Sequence, residues 1–214
     1  MELISETINF VKQKLKNVEA GHDWSHVERV WNLSKKIAEN ENCNLLVVEL
    51  GALLHDIADA KFHNGNEDRG PYIAKMFLKN QNVNKDIIQK IVFIVKNISF
   101  KNRFDFNGEI PIELQIIQDA DRLDAIGAIG IARAFHFGGF KNNPLYLPDE
   151  KPRINLSKEE YKKSEGTTIN HFYEKLLLVK DLMNTSKGKE LAEVRHQYME
   201  NFLDQFYKEW NAKS

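Results

Sequence analysis

Apolar residues recur along this chain at the three- and four-residue spacing of helices, with few interruptions. Leu3, Ile4, Ile8, Val11 and Leu15 mark one such face, and Val27, Val30, Trp31 and Ile37 mark the next. The same rhythm predicts helices over 45–58, 71–78, 86–98, 111–135, 157–183 and 187–210. Residues 92–95 alone would pass for a strand, but Ile87, Ile88 and Ile91 beside them restore the helical period. Ser157 followed by Glu160 has the form of a capping box and places a helix start there. The expected fold class is therefore all-α, a helical bundle.

The clearest break lies at 137–152, where Gly138, Gly139, Asn142, Asn143, Pro144, Pro148 and Pro152 cluster. A long irregular stretch in a helical chain is either a lid over a binding site or a connector. The expected organisation is a core at 1–136, a loop with the character of a lid at 137–156, and C-terminal helices at 157–214 packed on the same domain.

Composition narrows the picture. A chain of 214 residues with 42% apolar content can bury a core without disulfides. The formal net charge of -1 supplies no basic footprint, so no dedicated nucleic-acid binding is expected. The single cysteine, Cys43, excludes an intramolecular disulfide and any Cys-rich zinc site, and it reads as a small hydrophobe. No apolar stretch has the length of a signal peptide or a membrane span, which makes the cytoplasm the expected location. The aromatic C-terminal stretch (Tyr198, Phe202, Phe206, Tyr207, Trp210) reads as intramolecular packing, and nothing in the pattern specifies an oligomeric state.

Three segments set metal-competent side chains inside strongly apolar helical patterns. They are Gly21-His22-Asp23-Trp24-Ser25-His26-Val27-Glu28-Arg29-Val30, Ala52-Leu53-Leu54-His55-Asp56-Ile57-Ala58-Asp59, and Ile116-Ile117-Gln118-Asp119-Ala120-Asp121-Arg122-Leu123-Asp124-Ala125. A carboxylate that follows Ala-Leu-Leu-His in a core-like helix is costly to desolvate unless a positive charge neutralises it. A divalent ion does so, and two imidazoles with two carboxylates suit manganese, iron, cobalt, nickel, zinc or magnesium. His55 and Asp56 project about 100° apart on a helix, close enough to meet one ion from the same side. His26 and an aspartate of the third segment would come from neighbouring helices. Within that segment Asp119, Asp121 and Asp124 are all candidates.

The order of a His, then His-Asp, then a distant Asp resembles the HD superfamily of metal-dependent phosphohydrolases, in particular the branch with a GHDWxHxxRV opening. The resemblance continues through 118–127 and 167–176 and covers most of the chain. It implies an HD-domain helical bundle with a C-terminal extension and a divalent metal held by His26, His55, Asp56 and Asp121. It also implies a proton-handling role for Asp59, three positions after the HD aspartate; on a helix Asp59 lies one turn from Asp56, on the same side.

Each of the other candidates has a structural counterpart. Arg29, one turn after His26, either meets a substrate phosphate or forms an ion pair. Lys61 offers a cation near the same place, among many surface lysines. Asp124 either orients a ligand histidine or pairs with Arg122. His22 and Asp23 either shape the pocket mouth or bind a second metal, or Asp23 serves as a turn and capping residue before a helix whose expected N-cap is Ser25. Asn97, Ser99 and Lys101 close an apolar helix, where similar proteins of the HD superfamily carry pocket residues, and His171 with Lys175 either contributes to substrate binding or forms a polar stripe on a later helix.

The expected activity is hydrolysis of a phosphate ester or anhydride in a nucleotide or other small phosphorylated metabolite. Catalysis would fall to Asp59, Arg29 and Lys61 around the metal. Two other readings stay open: a nucleotide- or metal-binding regulatory protein without turnover, and an HD-type di-iron oxygenase, which needs more ligands than the motifs supply.

Overall fold

The computed structural model describes residues 2–16, 23–58, 66–98, 109–153 and 166–213. Among them there is no strand, and the protein is all-α. No described helix is long and apolar enough to cross a membrane. The chain divides into two compact units, Met1–Asp121 and Arg122–Ser214.

The first unit holds α1 (Glu2–Lys14), α2 (Trp24–Ala38), α3 (Leu45–Leu54), α4 (Arg69–Asn80), α5 (Lys85–Asn97) and most of α6 (Ile112–Asp124). α3 is its hub. It is apolar nearly all round, with Val47, Val48, Leu50, Ala52, Leu53 and Leu54 fully buried, as befits a helix at the centre of its unit. It packs against α1, α2 and α5. Gly51 makes the fit possible: a Cβ there would stand 2.7 Å from Ile117 Cδ1 of α6 and 3.3 Å from Ile94 Cδ1 of α5. Two polar contacts fix the hub's register. Trp31 Nε1 of α2 donates to Glu49 Oε1 at 3.2 Å, and the Asn44 N–H donates to Glu113 Oε1 of α6 at 3.1 Å. Asn44 also caps α3, its side chain accepting from the Val47 N–H.

α4 ends in a Schellman turn that Asn82 makes possible with φ 54°. The Val83 N–H reaches Leu78 O at 3.1 Å, and the Asn82 N–H reaches Lys79 O at 3.0 Å.

The second unit contains α7 (Gly127–Phe140), α8 (Thr168–Glu174), a 3₁₀ helix (Leu176–Leu182) and α9 (Ser186–Trp210). Phe135, Phe172 and Phe202 form its centre, with ring centroids 5.8–6.0 Å apart. Tyr146 stands edge-on to Phe206, Tyr207 and Trp210. Phe202, Phe206 and Tyr207 of the aromatic C-terminal stretch are thus used for internal packing, whereas Tyr198 is exposed and Trp210 packs on Tyr146 and Phe206 while remaining about half exposed.

Three expected helices differ from the structure. The 111–135 stretch is two helices, because Gly127 adopts φ +75°, a left-handed conformation that ends the α6 path. α7 then runs on to Phe140, so the first four residues of the expected loop are helical. The 45–58 helix stops at Leu54 and continues as a turn through 58. The 157–183 helix is, over its described part, α8 and a 3₁₀ helix separated at Lys175. Leu176, Val179 and Leu182 recur every third residue, which fits three residues per turn better than 3.6. Thr167 caps α8, accepting from the Asn170 N–H at 3.1 Å; the Ser157–Glu160 capping box lies outside the described residues.

Candidate metal centre

The first unit brings its metal-competent residues together from the start of α2, the C-terminal end of α3 and the last turn of α6. Asp23 caps α2, its Oδ1 accepting at 3.0 Å from the His26 N–H. The helix therefore begins at Trp24 with Asp23 as its cap, not Ser25. A carboxylate accepts more strongly than a hydroxyl and also favours the positive end of the helix dipole. This cap fixes His26 in the first turn, where its ring is 3% exposed.

His55 follows the last residue of α3 and is 7% exposed. Its Nδ1 lies 2.7 Å from Ala52 O. A carbonyl only accepts, so Nδ1 carries the hydrogen, and in the neutral ring this leaves the lone pair on Nε2. That lone pair faces His26 Nε2 at 3.4 Å, with the two rings near edge-to-face. His26 Nε2 is also 3.4 Å from Asp121 Oδ1 of α6. Ligand atoms of His26, His55 and Asp56 all lie within 4.8 Å of one another.

These residues fit a cation. Around an ion with bonds of about 2.1 Å, adjacent ligand atoms stand roughly 3.0–3.4 Å apart. Without one, two imidazole nitrogens and carboxylate oxygens converge with too few protons to satisfy them all. The site also lies at the C-terminal end of α3, where the helix dipole is negative and a positive charge is favoured.

Other expected residues fall in several places. Arg29 is half-buried on α2, one turn after His26. Asp59, Lys61, His22, Ser99 and Lys101 lie outside the described residues. Asn97 is engaged at the end of α5, donating to Phe93 O at 2.8 Å and accepting from Gln118 Nε2 at 3.3 Å. Asp119 is fully buried in α6. Asp124 is equally buried, and its carboxylate accepts from Arg133 of α7; Arg122 donates to Leu182 O at 2.6 Å. Sequence reasoning missed Arg133, and the available signal was only that a buried Asp124 demands a cation from somewhere in the fold.

His171 and Lys175 belong to the second unit. Burial, reinforced by the Lys175 charge and opposed by Glu174, pushes the His171 imidazole down to about 4. It is therefore neutral at ordinary pH. Glu174 itself is held by Arg153, whose Nε and backbone N–H reach Glu174 Oε1 at 3.0 and 2.9 Å.

The chain is similar to known proteins along most of its length. The HD domain family model matches residues 23–126. YpgQ of Bacillus subtilis is 38% identical over 203 residues, covering 94% of this chain and 90% of its own. The crystal structure of an HD-superfamily hydrolase from Bacillus thuringiensis is 42% identical, with a TM-score of 0.81 over 99% of this chain and 98% of the other. Bacillus subtilis YpgQ in complex with ADP superposes with a TM-score of 0.75 at 33% identity, over 97% of this chain and 95% of that one. With its fold and sequence shared along nearly the whole length of such relatives, the chain belongs to the HD-domain superfamily.

Proposed function

We propose that this protein is a metal-dependent phosphohydrolase acting on a nucleotide or another small phosphorylated metabolite. The observation that carries the proposal is the convergence of His26, His55 and Asp56 within 4.8 Å of one another in the first unit, with Asp121 Oδ1 3.4 Å from His26 Nε2. In this reading these four side chains hold the ion. A divalent ion bound there supplies an acidified water and draws charge from a phosphoryl oxygen.

The chain's own residues do the rest. The Ala52 carbonyl keeps His55 in the tautomer that offers Nε2. Asp59 takes the proton of the attacking water or returns one to the leaving group, and Arg29 and Lys61 balance phosphate charge. The ADP complex of YpgQ supports a phosphate-bearing substrate for this chain, and a nucleotide first among such substrates.

The test pairs metal content with turnover. Wild-type protein and Asp56→Ala are assayed by elemental analysis, then for phosphate or pyrophosphate release from a panel of nucleotides and phosphate esters. The expected result is near-stoichiometric metal and turnover in the wild type, with both lost in the variant. Wild-type protein that takes up none of the six candidate metals overturns the site. Metal and ADP binding with no turnover on any substrate would instead favour the regulatory reading.

A further inference from the structure

The C-terminal end of α6 is held by arginines from elsewhere in the second unit. The last carbonyls of a helix have no intrahelical donor. Here Arg195 of α9 donates through Nη1 to Leu123 O. Arg133 of α7 donates to Asp124 O at 3.1 Å and, through the same nitrogen, to the Asp124 carboxylate. Gly127 makes room for this hold. It has φ +75°, and a Cβ on it would stand 2.9 Å from Arg195 Cγ and 3.0 Å from Arg195 Cβ. The turn after α6 is thus shaped to let the Arg195 stem pass. Burial draws the Arg195 guanidinium below its ordinary range, and the Asp124 charge opposes that shift.

We propose that Arg195 and Arg133 are positioning residues for Asp121, and that the affinity of the first unit's metal site depends on them. The proposal rests on the metal reading above. Asp121 lies in the same last turn of α6 as Leu123 and Asp124. Metal ligands tolerate displacements of only about 0.2 Å, so the end of this helix must be fixed before its carboxylate is useful. The sign of the effect separates positioning from simple electrostatics. Removing a positive charge near a cation site tightens binding on Coulomb grounds, whereas releasing the helix end weakens it.

The experiment titrates manganese into full-length wild type, Arg195→Met, Arg195→Lys, Arg133→Gln and Arg153→Met, well below their unfolding temperatures. Arg153→Met controls for general loss of stability, since it removes the Glu174 ion pair of the same unit. Arg195→Met and Arg133→Gln should weaken manganese binding about tenfold, the scale seen when groups supporting metal ligands are removed. Arg195→Lys should recover part of the loss, and Arg153→Met should lower the melting temperature while leaving affinity unchanged. If Arg195→Met does not fold, Arg195→Lys and Arg133→Gln decide the matter. Wild-type affinity or tighter in the folded Arg195 and Arg133 variants overturns the inference while leaving the metal site standing. A wild type that binds no manganese, iron, cobalt, nickel, zinc or magnesium overturns both.

Discussion

Asp23 and His55 show how single residues set up the chemistry. The Asp23 carboxylate spends one oxygen on the His26 amide, and the Ala52 carbonyl takes the Nδ1 hydrogen of His55. Asp23→Ala should cost about 1 kcal/mol of stability by urea unfolding, while Asp23→Ser should retain most of it. A loss as large in the serine variant would show that the cap is not what matters. The His–Asp pair was legible in the sequence because charge sat where an apolar helix leads. The tautomer lock was not, since it depends on where α3 ends. His171 gives a pH signature. Its folded value, near 4, lies below the unfolded one near 6.5, so neutral His171 adds stability above pH 6.5. That contribution, up to about 3 kcal/mol, is lost as pH falls from 6.5 towards 4. His171→Asn should therefore lose less stability than wild type between pH 7 and pH 4.5 in urea titrations; parallel curves would refute it.

At the scale of elements, periodicity identified nearly every described helix but misplaced several ends. Apolar rhythm runs straight through 125–127, and only the left-handed Gly127 reveals that α6 and α7 part there. The Lys175 break was hidden for a similar reason, because a Leu-rich run suits both 3.6- and three-residue turns. Nor could spacing show that Gly51 lies under Ile117 and Ile94. Gly51→Val should destabilise the protein by about 1–3 kcal/mol through overpacking, despite valine's gain in helix propensity over glycine. An unchanged urea midpoint would mean that α5 and α6 shift aside freely. Gly127→Ala should cost about 1–3 kcal/mol from its strained φ alone, read the same way.

For the molecule as a whole, the motif was readable from end to end, whereas the arginines closing α6 came from positions that no local pattern ties to it. A bound divalent ion should raise stability by about 2.7 kcal/mol at a hundredfold excess over its dissociation constant. For a chain of this size that is roughly 5–10 °C in melting temperature, and Asp56→Ala should show no such rise. A metal site of the proposed kind, with ligands drawn from α2, the end of α3 and α6, has a kinetic consequence as well. They meet only after helices distant in sequence have docked, so a transition state reached earlier offers the ion nothing to hold. Metal should then lengthen the lifetime of the folded chain, slowing its unfolding in stopped-flow experiments, while the rate of refolding stays where it was.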